Sequence, residues 1–174
     1  TICLFDIDGT LLSTGGAGRR AMEGAFGDVH GKTLLEFSFA GMTDRAIVRE
    51  GLTALEHADP DAAAIDRVLE RYMDRLADEV TRTAAYRVHA GVAEVLAWLE
   101  SMDRIALGLG TGNVKRGAYA KLARGALDGS FAFGGFGCDA EDRTELLSVG
   151  AGRGADVLGI ALADCRVVVI GDTP

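Results

Sequence analysis

Positive charge is scarce in this sequence, and so are cysteine, histidine and long apolar runs. Only 18 Lys and Arg stand against 26 Asp and Glu, a formal charge of -8 with a pI near 4.8. A nucleic-acid binder normally presents a basic face to neutralise phosphates, so that class is excluded. A small anionic substrate is not, because a local pocket of Lys, Arg and metal overrides the global sign. The three cysteines, Cys3, Cys138 and Cys165, are odd in number, far apart and without CxxC spacing. Neither a disulfide framework nor a zinc site follows from them, and a reducing cytoplasm fits best. His30, His57 and His89 are scattered without ligand spacing and are read as surface or packing residues. No apolar run approaches membrane-spanning length, and the N-terminus lacks a basic segment followed by a long apolar stretch and a cleavage site. The sequence opens at Thr1 without methionine and stops at Pro174 directly after a strand-like run, so trimming at both ends is expected.

What is present suits one compact domain or a small core carrying an insertion: 174 residues, 48% of them apolar. Ile2 to Phe5 is a short continuous apolar run, as expected of a parallel strand buried on both faces. Ile105 to Leu109 and Arg166 to Ile170 read likewise. Val92, Val95, Leu96 and Leu99 recur at helical spacing, with Trp98 beside them expected in the core. Val114 to Leu127 and Arg143 to Leu162 supply further helices. Alternating strands and helices imply an α/β fold with a doubly wound parallel sheet.

From about Gly15 to Arg87 strand-like runs vanish. Ala17 to Phe26 and Thr43 to Glu56 read as helices, the second capped by Thr43 or Asp44. Asp59 followed by Pro60 marks a third helix start, a capping acceptor ahead of a proline at the first helical position. Ile65, Val68, Leu69, Tyr72, Met73, Leu76 and Val80 then line one face. The expected organisation is a core of residues 1–14 and 88–174 with an all-helical insertion at 15–87.

The chemistry concentrates in FDIDGTLL, Phe5 to Leu12. Asp6 and Asp8 stand at the carboxyl end of the first strand, where ligands bind in open parallel sheets. Gly9 and Thr10 let the chain turn at once, so both carboxylates can converge on a hard divalent cation, for which Mg²⁺ is the natural occupant. An isolated DxD in a turn is more often a solvated loop or a helix cap. Here its order and context within the whole chain outweigh that reading.

DxDGT after a first strand resembles motif I of the haloacid dehalogenase-like (HAD) hydrolase superfamily. The resemblance implies a Rossmann-like core and a Mg²⁺-dependent phosphatase, with Asp6 as nucleophile and Asp8 as general acid/base. The Asp8 backbone carbonyl would join Asp6 and Asp172 on the metal. The second Asp weighs against dehalogenation, since halide leaves without a proton. Thr111 in LGLGTGN resembles motif II, with the amides of Gly112 and Asn113 able to hold phosphate oxygens. For the motif III cation, Arg143 in DAEDRTELL fits the spacing of related sequences better than Lys121, which lies inside the preceding helix. VVVIGDTP resembles motif IV and supplies Asp172. The insertion matches, in position and helical character, the C1-type cap of phosphoglycolate phosphatase and its small-molecule relatives. A closing cap implies a small phosphorylated metabolite as substrate. In that cap Arg45 of GMTDRAI, or Arg19, is expected to contact the non-reacting end of the substrate; Arg19 or Arg20 taken alone reads better as an outer-face charge. Two alternatives stay open: a phosphomutase of the β-phosphoglucomutase kind, and a non-catalytic binding protein on the same scaffold.

Overall fold

The computed structural model describes residues 1–56 and 59–172. His57, Thr173 and Pro174 therefore lie outside the described residues. Four parallel strands form the main sheet: β1 (Ile2–Phe5), β4 (Ala106–Thr111), β5 (Phe133–Phe136) and β6 (Val167–Ile170), in the order β5-β4-β1-β6. Helices α4 (Val92–Glu100) and α5 (Lys115–Arg124) cover one face, where Leu96, Ala118 and Leu122 pack on Cys3, Phe5 and Leu109. Helix α6 (Arg143–Leu158) covers the other through Ala151 and Ala155 against Ile2, Leu4, Ala106 and Phe133. This is the expected Rossmann-like α/β architecture, wound on both faces. Among the described residues no helix is long and apolar enough to cross a membrane.

The close seat of α6 depends on glycine. A Cβ on Gly135 would lie 1.8 Å from the Leu146 carbonyl oxygen, so the helix backbone rests almost directly on β5. The first residue of that helix is Arg143, held at its start by Asp142, whose carboxylate accepts the Thr144 and Glu145 N–H groups at 2.8 and 3.0 Å.

Three helices stand between β2 (Leu12–Ser13) and β3 (Arg87–Val88), two short strands that pair antiparallel. Helix α1 runs Ala17–His30, four residues beyond the expected end, and Gly31 closes it at a φ of 73°. Helix α2 is Asp44–Glu56, with the Thr43 hydroxyl accepting the Ala46 N–H at 3.2 Å, so Thr43 is the cap. Helix α3 is Ala62–Arg82, and its cap is Asp61 rather than Asp59: the Asp61 carboxylate accepts the Ala64 N–H at 2.7 Å, while Asp59 pairs with Arg49 at 2.8 Å. All seven residues of its expected apolar face are buried. They share one cluster with Ala21, Met22, Phe26, Val48 and Leu52.

Two other expectations give way. Trp98 is 61% exposed, because α4 turns only Leu96 fully inward. Strand β6 is not buried on both faces: Val168 and Ile170 pack with the α4/α5 side, whereas Val167 and Val169, beyond the reach of α6, are 39% and 50% exposed.

The helical segment is fastened to the sheet at the start of α2. The Asp44 N–H donates to the Gly112 carbonyl at 2.8 Å, and the Asp44 carboxylate accepts the Val114 N–H at 2.9 Å, just before α5 begins. Gly112 permits the approach, since a Cβ there would lie 2.7 Å from the Met42 carbonyl oxygen. Beside it, Arg49 grips Glu141 through two bonds of 3.0 Å. Burial pushes the Asp44 carboxyl up to about 6, opposed by the Lys121 charge, the Val114 N–H and the Tyr72 hydroxyl, and assisted by the Asp8 charge.

Because its folded pKa lies above the unfolded value of 3.8, Asp44 favours the folded state at low pH and loses that advantage as pH rises from about 4 to about 6. The loss is on the order of 3 kcal/mol at about 1.4 kcal/mol per pKa unit. Asp44→Asn keeps an acceptor for Val114 without the charge. Its stability relative to the parent, measured by urea unfolding, is expected to climb between pH 4 and 6.5 and level off above. A stability difference that stays constant across that range would show that Asp44 ionises without penalty.

Candidate active site

Strand β1 ends at Phe5, and the next residues deliver the two carboxylates. Asp6 is 7% exposed; its Oδ1 accepts the Ile7 N–H at 2.8 Å and its Oδ2 accepts Arg143 Nη2 at 2.9 Å. The chain then turns: the N–H groups of Leu11 and Leu12 both reach back to the Ile7 carbonyl, at 3.0 and 3.1 Å. Gly9, at a φ of 82°, makes the turn possible. It also makes room for Asp172, whose Oδ2 would lie 2.2 Å from a Cβ at that position. Asp172, just beyond β6, accepts the Thr10 hydroxyl at 3.4 Å.

Asp8 has a different environment. Its Oδ2 accepts Lys121 Nζ at 2.6 Å and Asn113 Nδ2 at 2.9 Å. Burial raises the Asp8 carboxyl, but the Lys121 charge and both hydrogen bonds outweigh it, holding the group below the usual carboxylate range. Lys121 Nζ also donates to Asn113 Oδ1 at 2.6 Å, and Asn113 Nδ2 donates to the Thr111 hydroxyl at 2.8 Å. Thr111, at the end of β4, is fully buried. Its oxygen also accepts the Asn113 N–H at 3.3 Å, which leaves the hydroxyl proton for another acceptor.

A cavity of about 380 Å³ opens above these groups, within the range of small-molecule sites. Asp6, Asp8, Thr111, Gly112, Asn113, Arg143 and Asp172 all line it, as does Arg19. Arg45 does not. It is drawn away by Asp66 at 2.7 Å and Glu141 at 3.8 Å, carboxylates that satisfy it outside the cavity. Arg20 likewise faces outward to Glu79 at 2.9 Å. Lys121 and Arg143 are not rivals for one place, for both line the cavity, one on each carboxylate. Lys121 does sit within a helix, and its side chain still reaches the site from the buried face of α5.

Two ionisable lining residues, Asp44 and Tyr72, escaped the sequence reading as site residues. Asp44 was legible only as a helix cap, and Tyr72 only as one member of an apolar stripe. The Tyr72 hydroxyl hydrogen-bonds Asp44, and burial together with the Asp44 and Asp8 charges raises it well above the ordinary tyrosine value. An ionisable group within an apolar stripe was the one available signal.

The chain resembles solved structures over nearly its whole length. CbbY from Rhodobacter sphaeroides, in complex with phosphate, is 19% identical with a TM-score of 0.71, covering 97% of this chain and 76% of that one. A haloacid dehalogenase-like family protein from Streptococcus pneumoniae gives 15% identity and 0.60, over 99% of this chain and 76% of that one. A protein described as a predicted phosphatase, from Clostridium acetobutylicum, gives 15% and 0.63, over 97% and 74%. These likenesses establish the fold. Comparison with curated proteins gives no match. The family model described as haloacid dehalogenase-like hydrolase matches residues 1–174, and the chain therefore belongs to the haloacid dehalogenase-like hydrolases.

Proposed function

We propose that this protein hydrolyses small phosphate monoesters through a phosphorylated Asp6, with residues 15–87 acting as a C1-type cap over the 1–14 and 88–174 core. The observation that carries the reading is the paired geometry at the end of β1. Two carboxylates, each against its own cation, face one cavity with Thr111, Asn113 and Asp172. CbbY from Rhodobacter sphaeroides, which shares the fold, has been solved with phosphate and, as a mutant, with xylulose-(1,5)bisphosphate.

The chemistry follows from the positions. An Asp6 oxygen attacks phosphorus and the bond to the ester oxygen breaks, while Asp8, ionised in the free enzyme, takes up a proton brought in with the phosphate monoester and passes it to the departing alkoxide. Water then attacks the aspartyl-phosphate, returning a proton to Asp8 and freeing Asp6 and phosphate. Arg143 orients the Asp6 carboxylate and offsets charge on the transferring group. Thr111 and the amides of Gly112 and Asn113 hold phosphoryl oxygens at the approach to α5. Lys121, already shared by Asp8 and Asn113, is within reach of the same oxygens.

The donor set suits Mg²⁺, because Asp6, Asp8 and Asp172 offer only oxygen to the cavity. Among the described residues no cluster of three His, Cys, Asp or Glu side chains is ready to hold a metal. The Asp6 and Asp172 carboxylates and the Asp8 backbone carbonyl would hold the ion. When bound, the ion offsets the repulsion between carboxylate and phosphate.

With an aryl phosphate and Mg²⁺, Asp6→Asn is expected to lower kcat at least about a thousandfold. Asp8→Asn should cost about 10²–10⁴, and EDTA should abolish turnover reversibly. Undiminished activity in a folded Asp6→Asn protein would exclude the aspartyl-phosphate route. Adding a hexose acceptor separates hydrolysis from a phosphomutase reaction.

Lys121→Ala and Arg143→Ala should each lower kcat by about 10²–10³ if both serve the transition state. If one variant retains full kcat, the division of labour between the two cations is wrong.

A further inference from the structure

We propose that the alcohol portion of the substrate is uncharged and partly apolar, so that the enzyme discriminates against esters bearing a second anionic group. This rests on the phosphatase reading above and adds the substrate class to it.

The cavity is lined by four acids, Asp6, Asp8, Asp44 and Asp172, and three cations, Arg19, Lys121 and Arg143. Each cation already has a carboxylate: Arg143 has Asp6 at 2.9 Å, Lys121 has Asp8 at 2.6 Å, and Arg19 has Glu23 at 2.9 Å. Among the described residues neither Asp44 nor Asp172 makes an ion pair. The phosphoryl dianion and a divalent metal cancel one another. A second phosphate or carboxylate would then enter a space with more acids than cations and remain unpaired.

Arg19 is the one lining cation contributed by the helical segment, and the structure employs it in holding the cavity wall. Its Nε donates to Glu23, its Nη1 to the Phe37 carbonyl at 3.1 Å, and its Nη2 to the Leu35 carbonyl. Its guanidinium lies 4.4 Å from the centroid of the Phe39 ring. Turning Arg19 to a substrate anion would break three hydrogen bonds and release the segment that carries Phe39. The surface that remains for the leaving group carries no further cation: Met22, Phe39, Met42, Ile47 and the Tyr72 ring line the cavity beside Ser13 and Thr14. Such a surface binds a carbon skeleton by burial and a hydroxyl by hydrogen bond, and gives an anion no cation to pair with.

The test measures kcat/KM with Mg²⁺ for esters of similar size that differ in charge: propyl phosphate and 2-hydroxyethyl phosphate against phosphoglycolate, and a sugar monophosphate against its bisphosphate. The neutral leaving groups are expected to be favoured at least about tenfold. Arg19→Ala is expected to change neutral and anionic members by the same factor, since Arg19 shapes the wall and binds neither. Preference for the anionic members, or a loss in Arg19→Ala confined to them, would overturn this inference and leave the phosphatase reading standing. If the folded parent hydrolyses none of these esters or an aryl phosphate, the phosphatase reading falls and this inference falls with it.

Discussion

Two carboxylates at one strand end each need a counter-charge, and the rest of the site is organised around supplying it. The fold answers with one cation for each, delivered from opposite faces of the sheet. Helix α5 brings Lys121 to Asp8 at 2.6 Å, and helix α6 brings Arg143 to Asp6 at 2.9 Å. The glycines of β5 belong to the same solution, because α6 can present Arg143 only if its backbone comes down onto Gly135. Both elements of the proposed reaction centre, nucleophile and acid/base, thus depend on how the helices seat on the sheet.

The start of α2 links that arrangement to the helical segment. Asp44 bonds the residues on both sides of Asn113, taking the Gly112 carbonyl with its N–H and the Val114 N–H with its carboxylate. Glu141, gripped by Arg49, lies two residues before Arg143. A shift of α2 would therefore be felt at both walls of the cavity, at the loop carrying Asn113 and at the start of α6. A buried carboxyl pushed up to about 6 is the cost of this joint.

Much of this was legible in the residues. Three of the four strands of the main sheet, the turn at Gly9, the apolar face of α3 and the placement of Thr111 follow from local patterns, whereas β5, a glycine-rich Phe133–Phe136, was not read as a strand. What the sequence hid was of another kind. Lys121 looked like an interior helix residue, yet reach depends on side-chain length and on the angle at which α5 packs. Arg45 sat in a promising loop, and only the positions of Asp66 and Glu141, 21 and 96 residues away, decide that it turns aside. Trp98 was expected in the core because apolar residues usually are, and α4 needs just Leu96 for its contact. Local chemistry was readable; the partners that long-range folding supplies were not.

The same limit explains how an acidic protein with a formal charge of -8 can hold a phosphate site without advertising it. No basic cluster is visible because the cations stand far apart in the chain and meet only in the fold. Once there, each is paired, so the site attracts an anion by exchanging partners rather than by surplus charge. Exchange of partners is less costly than desolvating free charge, because the groups are already held in place and already out of water. It also limits what can be bound, since every anion beyond the first must displace a carboxylate from its cation or go without. On the proposed reading, selectivity for the remainder of the substrate then falls to shape and apolar contact, which Met22, Ile47 and Tyr72 would supply.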